Sequence, residues 1–481
     1  MPITIGLDSG TTTITALALD AERGEVVASA TLPNDADITS PPDTAKGRSE
    51  WDAVRMGQRA LEVIREVVSR LRTRRGEVAG IGLTGQQHGV VLVDHRLQPT
   101  TPFISWKDWR GLDPVPGGEE TYVTRAEHLA GPGASKRTGC ALATGFMGVT
   151  LFWMKESGVL PRKGTACFVT DYLGAMLTGA APVTDPTMGA SSGLLHLAER
   201  RWDPEMIRGL GLPPTLFPEV REGGDRFGAL TAEAARLTEL AAGVPVFVGL
   251  GDNQASFLGS VADRDATVQV NVGTGAQVSR YTDRIHDAPP LEVRPFPRGG
   301  YVLVEAGLCG GRSYATLRRF FQETGTHVLH ATGEQDLFAV MNALAKGVPR
   351  GAGGLRCEPF FTGTRAEPAR RASWSNISQE NFTPANMVRA LLEGMARGFR
   401  QGYRRIEVAT GSACTRLVGA GNGVRENPVL AGIIAEEFGL PLAVPEHREE
   451  AAFGAALTAA LGAGILPNLA AAGRVIRYQQ S

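Results

Sequence analysis

Apolar positions recur along this chain in two alternating rhythms. Val54, Ala60, Leu61, Ile64, Val68 and Leu71 fall on one face of a helix predicted over 52–72, with arginines and glutamates opposite. Val388, Leu391, Leu392, Met395, Phe399 and Tyr403 repeat that spacing over 384–403. Thr383 as N-cap and Pro384 at the first helical position mark where this second helix begins. Residues 451–462, AAFGAALTAALG, predict a helix of small side chains able to lie very close to a neighbour. Between the helices run short β-branched stretches that end in glycine, such as VAGIGLTG (78–85) and VPVFVGLG (244–251). Strands alternating with helices make the fold class α/β.

Glycine adds a second layer of order. Residues 3–19 place β-branched runs on both sides of Asp8-Ser-Gly-Thr-Thr, which reads as a strand, a tight loop and a strand. Residues 266–281 repeat the device around Asn271-Val-Gly-Thr-Gly, roughly 260 positions later. The repetition predicts two related halves facing each other across a cleft. The expected boundary lies near residue 248, giving domains 1–248 and 249–481. Stretches rich in proline and glycine at 285–300 and 347–368 read as long surface loops at the cleft mouth.

Bulk properties narrow the class of function. The 481 residues carry a formal net charge of −1, so no global field favours nucleic acid or an anionic membrane. No run of about 18 apolar residues occurs, and MPITIGLD lacks the basic start of a signal peptide. A cytoplasmic protein without membrane or nucleic-acid partners is expected. The five cysteines and eight histidines are dispersed, and His327 with His330 lacks the glutamate and spacing of a zinc helix.

The candidate chemistry lies in the glycine clusters. There is no GxxxxGK[ST] phosphate loop and no GxGxxG after a strand. Phosphate binding would then fall to other turns, and Gly10, Thr11, Thr12, Gly273, Thr274 and Gly275 offer amide and hydroxyl donors. Asp8, at a strand end beside the first loop, suits a hydrated Mg²⁺, or else caps its own turn. Asp252, after Gly251, can accept the proton of an attacking hydroxyl, or else cap the helix that follows. Gln87, His88, Trp106 and Asp108 combine amide, imidazole, carboxylate and aromatic wall, the groups that grip a sugar. Taken singly, Trp106 suits a core and Asp108 an ion pair with Arg110.

These segments together resemble the FGGY carbohydrate kinase family over nearly the whole chain. Asp8 to Thr13 resembles its opening phosphate motif, and Ile104 to Arg110 its I-x-W-x-D-x-R segment. Asp171-Tyr-Leu, Leu177-Thr-Gly and Thr184-Asp185 are similar to its DYLxxxLTG…TD stretch. Gly251-Asp252-Asn253, Gly273-Thr274-Gly275, Gly419 to Asn422 and Glu450 to Ala456 resemble the remaining motifs, in the family's order. The resemblance implies two ribonuclease-H-like (actin-like) domains closing over ATP, Mg²⁺ and a small sugar. It implies Asp252 as base and Asp8 beside the metal-bound phosphates. Thr11, Thr12 and Thr274 would lie on the phosphates, and Gly310, Gly311, Gly421 and Asn422 along the nucleotide. On the sugar side it implies His88, Asp252 and Asn253, with Gln87 and Trp106 nearby.

Within the family, Gly85 to Val91, Thr144 to Trp153 and Arg425-Glu-Asn427 look most like the sedoheptulokinase branch. The xylulokinase branch shares G-Q-x-H-G. Thr15 stands where the family often has lysine or arginine, Glu50-Trp-Asp52 replaces its E-Q-D-P, and Ala420 interrupts its G-G-G. The expected reaction is ATP-dependent phosphorylation of a ketose hydroxyl, with sedoheptulose first and xylulose next. A reading of another class is an actin-like nucleotide switch, which gives no reason for the His88 segment or the Asp252-Asn253 pair. A family member that binds sugar without turnover draws support from Thr15 alone. A homodimer is compatible with the sequence, which offers no decisive signal for it.

Overall fold

The computed structural model describes residues 2–330, 335–361, 363 and 369–479. The first glycine hairpin forms as expected, β1 (Ile3–Ser9) pairing antiparallel with β2 (Thr13–Asp20), followed by β3 (Glu25–Pro33). Parallel strand β4 (Val78–Gly85) joins β1 on its other side. Beyond it lie β5 (Arg226–Ala229), β6 (Pro245–Phe247) and β7 (Leu250–Gly251), giving the order β5-β6-β4-β1-β2-β3 with β7 also on β4. The predicted strand 244–251 is thus two pieces, parted at Val248-Gly249.

The second hairpin, β8 (Thr267–Val272) and β9 (Ala276–Thr282), founds a sheet of the same plan. With β10 (Glu292–Pro295), β11 (Tyr301–Leu308), β12 (Arg416–Ala420) and β13 (Leu442–Ala443), its order is β10-β11-β9-β8-β12-β13. In both sheets a run of antiparallel strands, three in the first and four in the second, gives way to a parallel strand on the far side of the first hairpin strand. The duplicated hairpin is therefore the visible end of a duplicated ribonuclease-H-like, actin-like unit. Among the described residues no helix is long and apolar enough to cross a membrane.

Helices cover both sheets. In α1 (Ala53–Leu71), capped by Asp52, the buried face is Ala53, Met56, Gly57, Ala60, Val63, Ile64, Val67, Val68 and Leu71. The predicted stripe was rotated: Val54 is exposed and Leu61 half-buried, because the core lies toward Met56 and Val63. Shorter helices follow at α2 (Val169–Thr178), α3 (Pro186–Ala190), α4 (Asp252–Ser260) and α5 (Gly311–Glu323). Helix α6 (Pro384–Thr410) starts at Thr383, whose hydroxyl accepts the Asn386 N–H, and runs past the predicted end to a left-handed Gly411. After α7 (Asn422–Arg425) and α8 (Pro428–Phe438) comes the small-residue helix α9 (Glu450–Gly462).

Helix α9 does what its composition allows. It lies against the first sheet so tightly that a Cβ on Gly6 of β1 or Gly82 of β4 would fall on the carbonyl oxygens of Ala452 or Ala455. It also crosses α4, where Gly454 approaches the Ala255 carbonyl in the same way. Together α4 and α9 supply Leu258, Phe257, Phe453 and Leu457 to a core shared by Leu17 and Leu19 of the first sheet and Val302 and Val418 of the second.

The segment 285–300, expected as a loop, contains β10. Its Val293 N–H donates to the Gly139 carbonyl at 2.9 Å, so this edge is held against the other lobe. Residues 285–294 nevertheless line the cleft, as expected of its mouth. Segment 347–368 includes a short strand, Arg356–Glu358, and its residues 362 and 364–368 lie outside the described ones.

Candidate active site

A cleft of about 1870 Å³ separates the two sheets. Its wall includes Thr11, Gln87, His88, Trp106, Asp252, Asn253, Gly273, Thr274 and Gly275. Asp8 is the penultimate residue of β1, and Gly10, Thr11 and Thr12 form the turn into β2. Gly10 offers its carbonyl to Asn34 Nδ2 at 2.9 Å, which fixes the turn from behind. On the opposing sheet, Gly273 N–H donates to Gly275 O at 2.9 Å, and Gly311 N–H to Gly273 O at 2.9 Å. The start of α5 at Gly310 and Gly311 is thereby held on the second hairpin. Gly421, with φ of +80°, packs on Asn271 and Val272 and opens α7 at Asn422. The two hairpins, Gly310-Gly311 and Gly421-Asn422 thus gather at strand ends, where open α/β sheets place ligands.

The carboxylates carry the electrostatics. Asp252 is the first residue of α4, half-buried, and its Oδ1 accepts its neighbour Asn253's N–H at 2.8 Å. Burial pushes its carboxyl up to about 7. Asp8 is pushed up to about 8, by burial first and then by the charges of Asp252 and Glu449. Its Oδ1 is enclosed and takes no hydrogen bond among the described residues.

That orphaned oxygen is what a hydrated Mg²⁺ would engage. Such an ion needs one or two carboxylates, the rest of its shell being water and phosphate oxygens. No cluster of three metal-ligating side chains exists among the described residues.

The residues expected to grip a sugar are held in place by their neighbours. His88 sits at φ +75°, and its ring stacks on Phe146 at 4.3 Å and 6°. Its Nδ1 lies 2.7 Å from the Ser191 carbonyl, which can only accept, so Nδ1 carries a proton and donates it there. The Trp106 indole N–H donates to Thr11 Oγ1 at 3.0 Å, tying the aromatic wall to the first hairpin. Gln87 is buried, its Nε2 donating to Thr187 O at 3.0 Å and its Oε1 accepting from Asn253 Nδ2 at 2.9 Å.

One expectation changes here. Asp108 is fully buried and stands off the cleft wall. Its oxygens accept from Ser49 N–H at 2.8 Å, Arg110 N–H at 2.8 Å and Arg110 Nε at 2.7 Å. Arg110 reaches on to Glu50 and covers the Trp153 ring. Asp108 therefore holds the loop behind Trp106 and has no face left for a sugar. Thr15, beside Asp8 across the hairpin, bonds Thr31 Oγ1 at 3.0 Å within the sheet.

Residues that sequence reasoning passed over include Phe146, Ser191, Thr187 and Gln277. Phe146 lay inside a noted segment but had no role. Asp185-Pro186-Thr187 is a readable helix start, with Asp185 capping Met188 N–H, and the buried Thr187 is the residue that meets Gln87 and Gly251. Gln277 carried no signal beyond its place two residues after Gly275.

Two actin-like halves, paired glycine hairpins and facing carboxylates define a phosphotransferase cleft. The chain belongs to the FGGY family of carbohydrate kinases, its N-terminal domain matching over residues 3–259 and its C-terminal domain over 268–463. It is an ATP-dependent carbohydrate kinase, which removes the nucleotide-switch reading.

Among similar proteins is an autoinducer-2 kinase of Escherichia coli, 27% identical over 493 aligned positions, covering 99% of this chain and 89% of the relative. The autoinducer-2 kinase of Salmonella typhimurium is 26% identical with the same coverage. Among solved structures, the xylulose kinase from Rhodospirillum rubrum superposes with a TM-score of 0.86 at 27% identity, covering 99% of this chain and 93% of that one. Plasmodium falciparum glycerol kinase with ADP shares the fold, at TM-score 0.82 and 18% identity over 100% of this chain and 93% of that one.

Proposed function

We propose that this kinase phosphorylates the terminal hydroxyl of a ketose, with Asp252 taking the hydroxyl proton as the phosphoryl group arrives. The observation that carries this reading is Asp252's place at the cleft floor, with burial raising its carboxyl to about 7 beside the amides of Asn253 and Gln87. A carboxylate so tuned accepts a proton more readily than an exposed one, and it stands at the positive end of α4. Phosphoryl transfer depends mainly on positioning and charge neutralisation. Thr11, Thr12, Gly10 and Gly273 to Gly275 would supply the donors around the phosphates, with Gly310, Gly311, Gly421 and Asn422 along the nucleotide. A bound Mg²⁺ would neutralise charge on the phosphates, and Asp8 is the residue to hold it. His88 Nε2 and Asn253 would take sugar hydroxyls against the wall of Trp106.

Likeness to the Rhodospirillum rubrum enzyme across nearly the whole chain supports xylulose as the acceptor. Gly85 to Val91 supports sedoheptulose, giving the 7-phosphate, as the second reading. Autoinducer-2, which the bacterial relatives are named for, belongs beside them. The test is ADP release with D-xylulose, sedoheptulose, autoinducer-2, ribulose and glycerol in turn. A ketose preference is expected; turnover of glycerol alone, or of none, would overturn this reading.

A further inference from the structure

Three side-chain amides stand in a row across the cleft. Gln87 Nε2 donates to the Thr187 carbonyl at 3.0 Å, Asn253 Nδ2 to Gln87 Oε1 at 2.9 Å, and Gln277 Nε2 to Asn253 Oδ1 at 2.8 Å. The row starts at α3, passes through α4 beside Asp252 and ends on β9 of the other sheet. A backbone carbonyl can only accept, so Thr187 decides which end of Gln87 faces it. Gln87 then decides Asn253, and Asn253 decides Gln277. No member can turn over alone without setting oxygen against oxygen or N–H against N–H. The direction of every amide is therefore fixed by one carbonyl buried in the first lobe. The far end is the Gln277 oxygen, on the cleft wall, which accepts no hydrogen bond among the described residues.

We propose that Gln277 is a positioning and specificity residue for the sugar. It tethers the Asn253 oxygen from the opposite lobe, and it offers its amide oxygen to a donating hydroxyl of the acceptor. This rests on the sugar-kinase reading of the cleft. The consequence is a polarity requirement: the position of Gln277 must donate toward Asn253 and accept toward the sugar. A side chain that only accepts breaks the row, although it has the same size.

The test uses Q277E and Q277M in the full-length protein, with near-ultraviolet circular dichroism to establish that each folds. At pH 8 the introduced carboxylate of Q277E faces Asn253 Oδ1 with no hydrogen to give. The sugar KM should rise about tenfold while the ATP KM stays within about twofold. As pH falls and that carboxyl gains a proton it can donate again, so the KM gap to the parent should close. Q277M should show the same rise at every pH. Parental KM in both variants, or a Q277E gap that does not change with pH, would overturn the proposal. Side-chain ¹⁵N–¹H signals of Gln87 and Asn253 give a readout that needs no substrate. They should shift in Q277E at pH 8 and return in acid, and signals that do not move refute the row. A parent inactive on every sugar would instead refute the ketose reading, leaving these signals to decide the row. If Q277E fails to fold, the KM and signals of Q277M decide it.

Discussion

Thr187 Oγ1 accepts the N–H of Gly251 at 2.8 Å, while its own hydrogen goes to Asp185 Oδ1 at 2.8 Å. A threonine at the start of α3 thus fixes the strand end from which Asp252 projects, and its carbonyl fixes Gln87. Thr187→Val keeps the shape but strands a buried N–H, a loss of about 1–3 kcal/mol. The expected outcome is a lower melting temperature and a lower kcat, with the ATP KM unchanged. Parental kcat in the variant would remove Thr187 from the support of Asp252.

Asp252→Asn should lower kcat by about 10²–10⁴-fold, the usual range for removing a general base. Nucleotide binding, measured by calorimetry, should persist. With Asp252 held at about 7, kcat/KM of the parent should rise with pH through about 7 and then level, because only the ionised carboxylate accepts a proton. A flat profile from pH 6 to 8 would contradict this role.

Asp8 makes a prediction about stability of the ligand-free protein. Its folded carboxyl titrates near 8, against 3.8 ordinarily. Between those values the unfolded chain has released the proton and the folded one keeps it. Stability therefore falls as pH rises across that window. Asp8→Asn lacks this loss, so its melting temperature should gain on the parent's steadily from pH 4 to pH 8. A constant difference across the range would rule out the raised carboxyl.

Asp108→Asn distinguishes support from sugar contact. The change leaves Arg110 partly uncompensated in the interior, where breaking a buried pair costs about 3–5 kcal/mol. Thermal unfolding should register the loss fully. The sugar KM of the protein that remains folded should move little, whereas a contact residue would show the reverse.

The two hairpins, the small-residue helix and the paired aspartates were legible because each rests on a local rule of turn, spacing or strand end. Gly-Thr turns between β-branched runs leave few alternatives to a hairpin. Val54 was misplaced because 3.6-residue spacing gives the width of an apolar stripe but not the side from which the core arrives. Asp108 was misassigned for a related reason: a carboxylate next to a tryptophan looks the same whether it faces a ligand or an arginine two positions away. Thr187 and Gln277 were invisible because their roles arise from partners on other segments, 64 and 24 residues distant.

Helix α9 has a bearing on how the protein is made. It is the cover of the first sheet, yet it follows every strand of the second sheet in sequence, and the Gly6 and Gly82 face is shaped to receive it. On the ribosome that apolar face must wait until the strands of the second sheet have been translated. A nascent chain halted before α9 leaves the Gly6 and Gly82 face of the first sheet uncovered. Phosphoryl transfer cannot begin before α9 has been translated, since the segment that closes the first sheet follows the whole of the second.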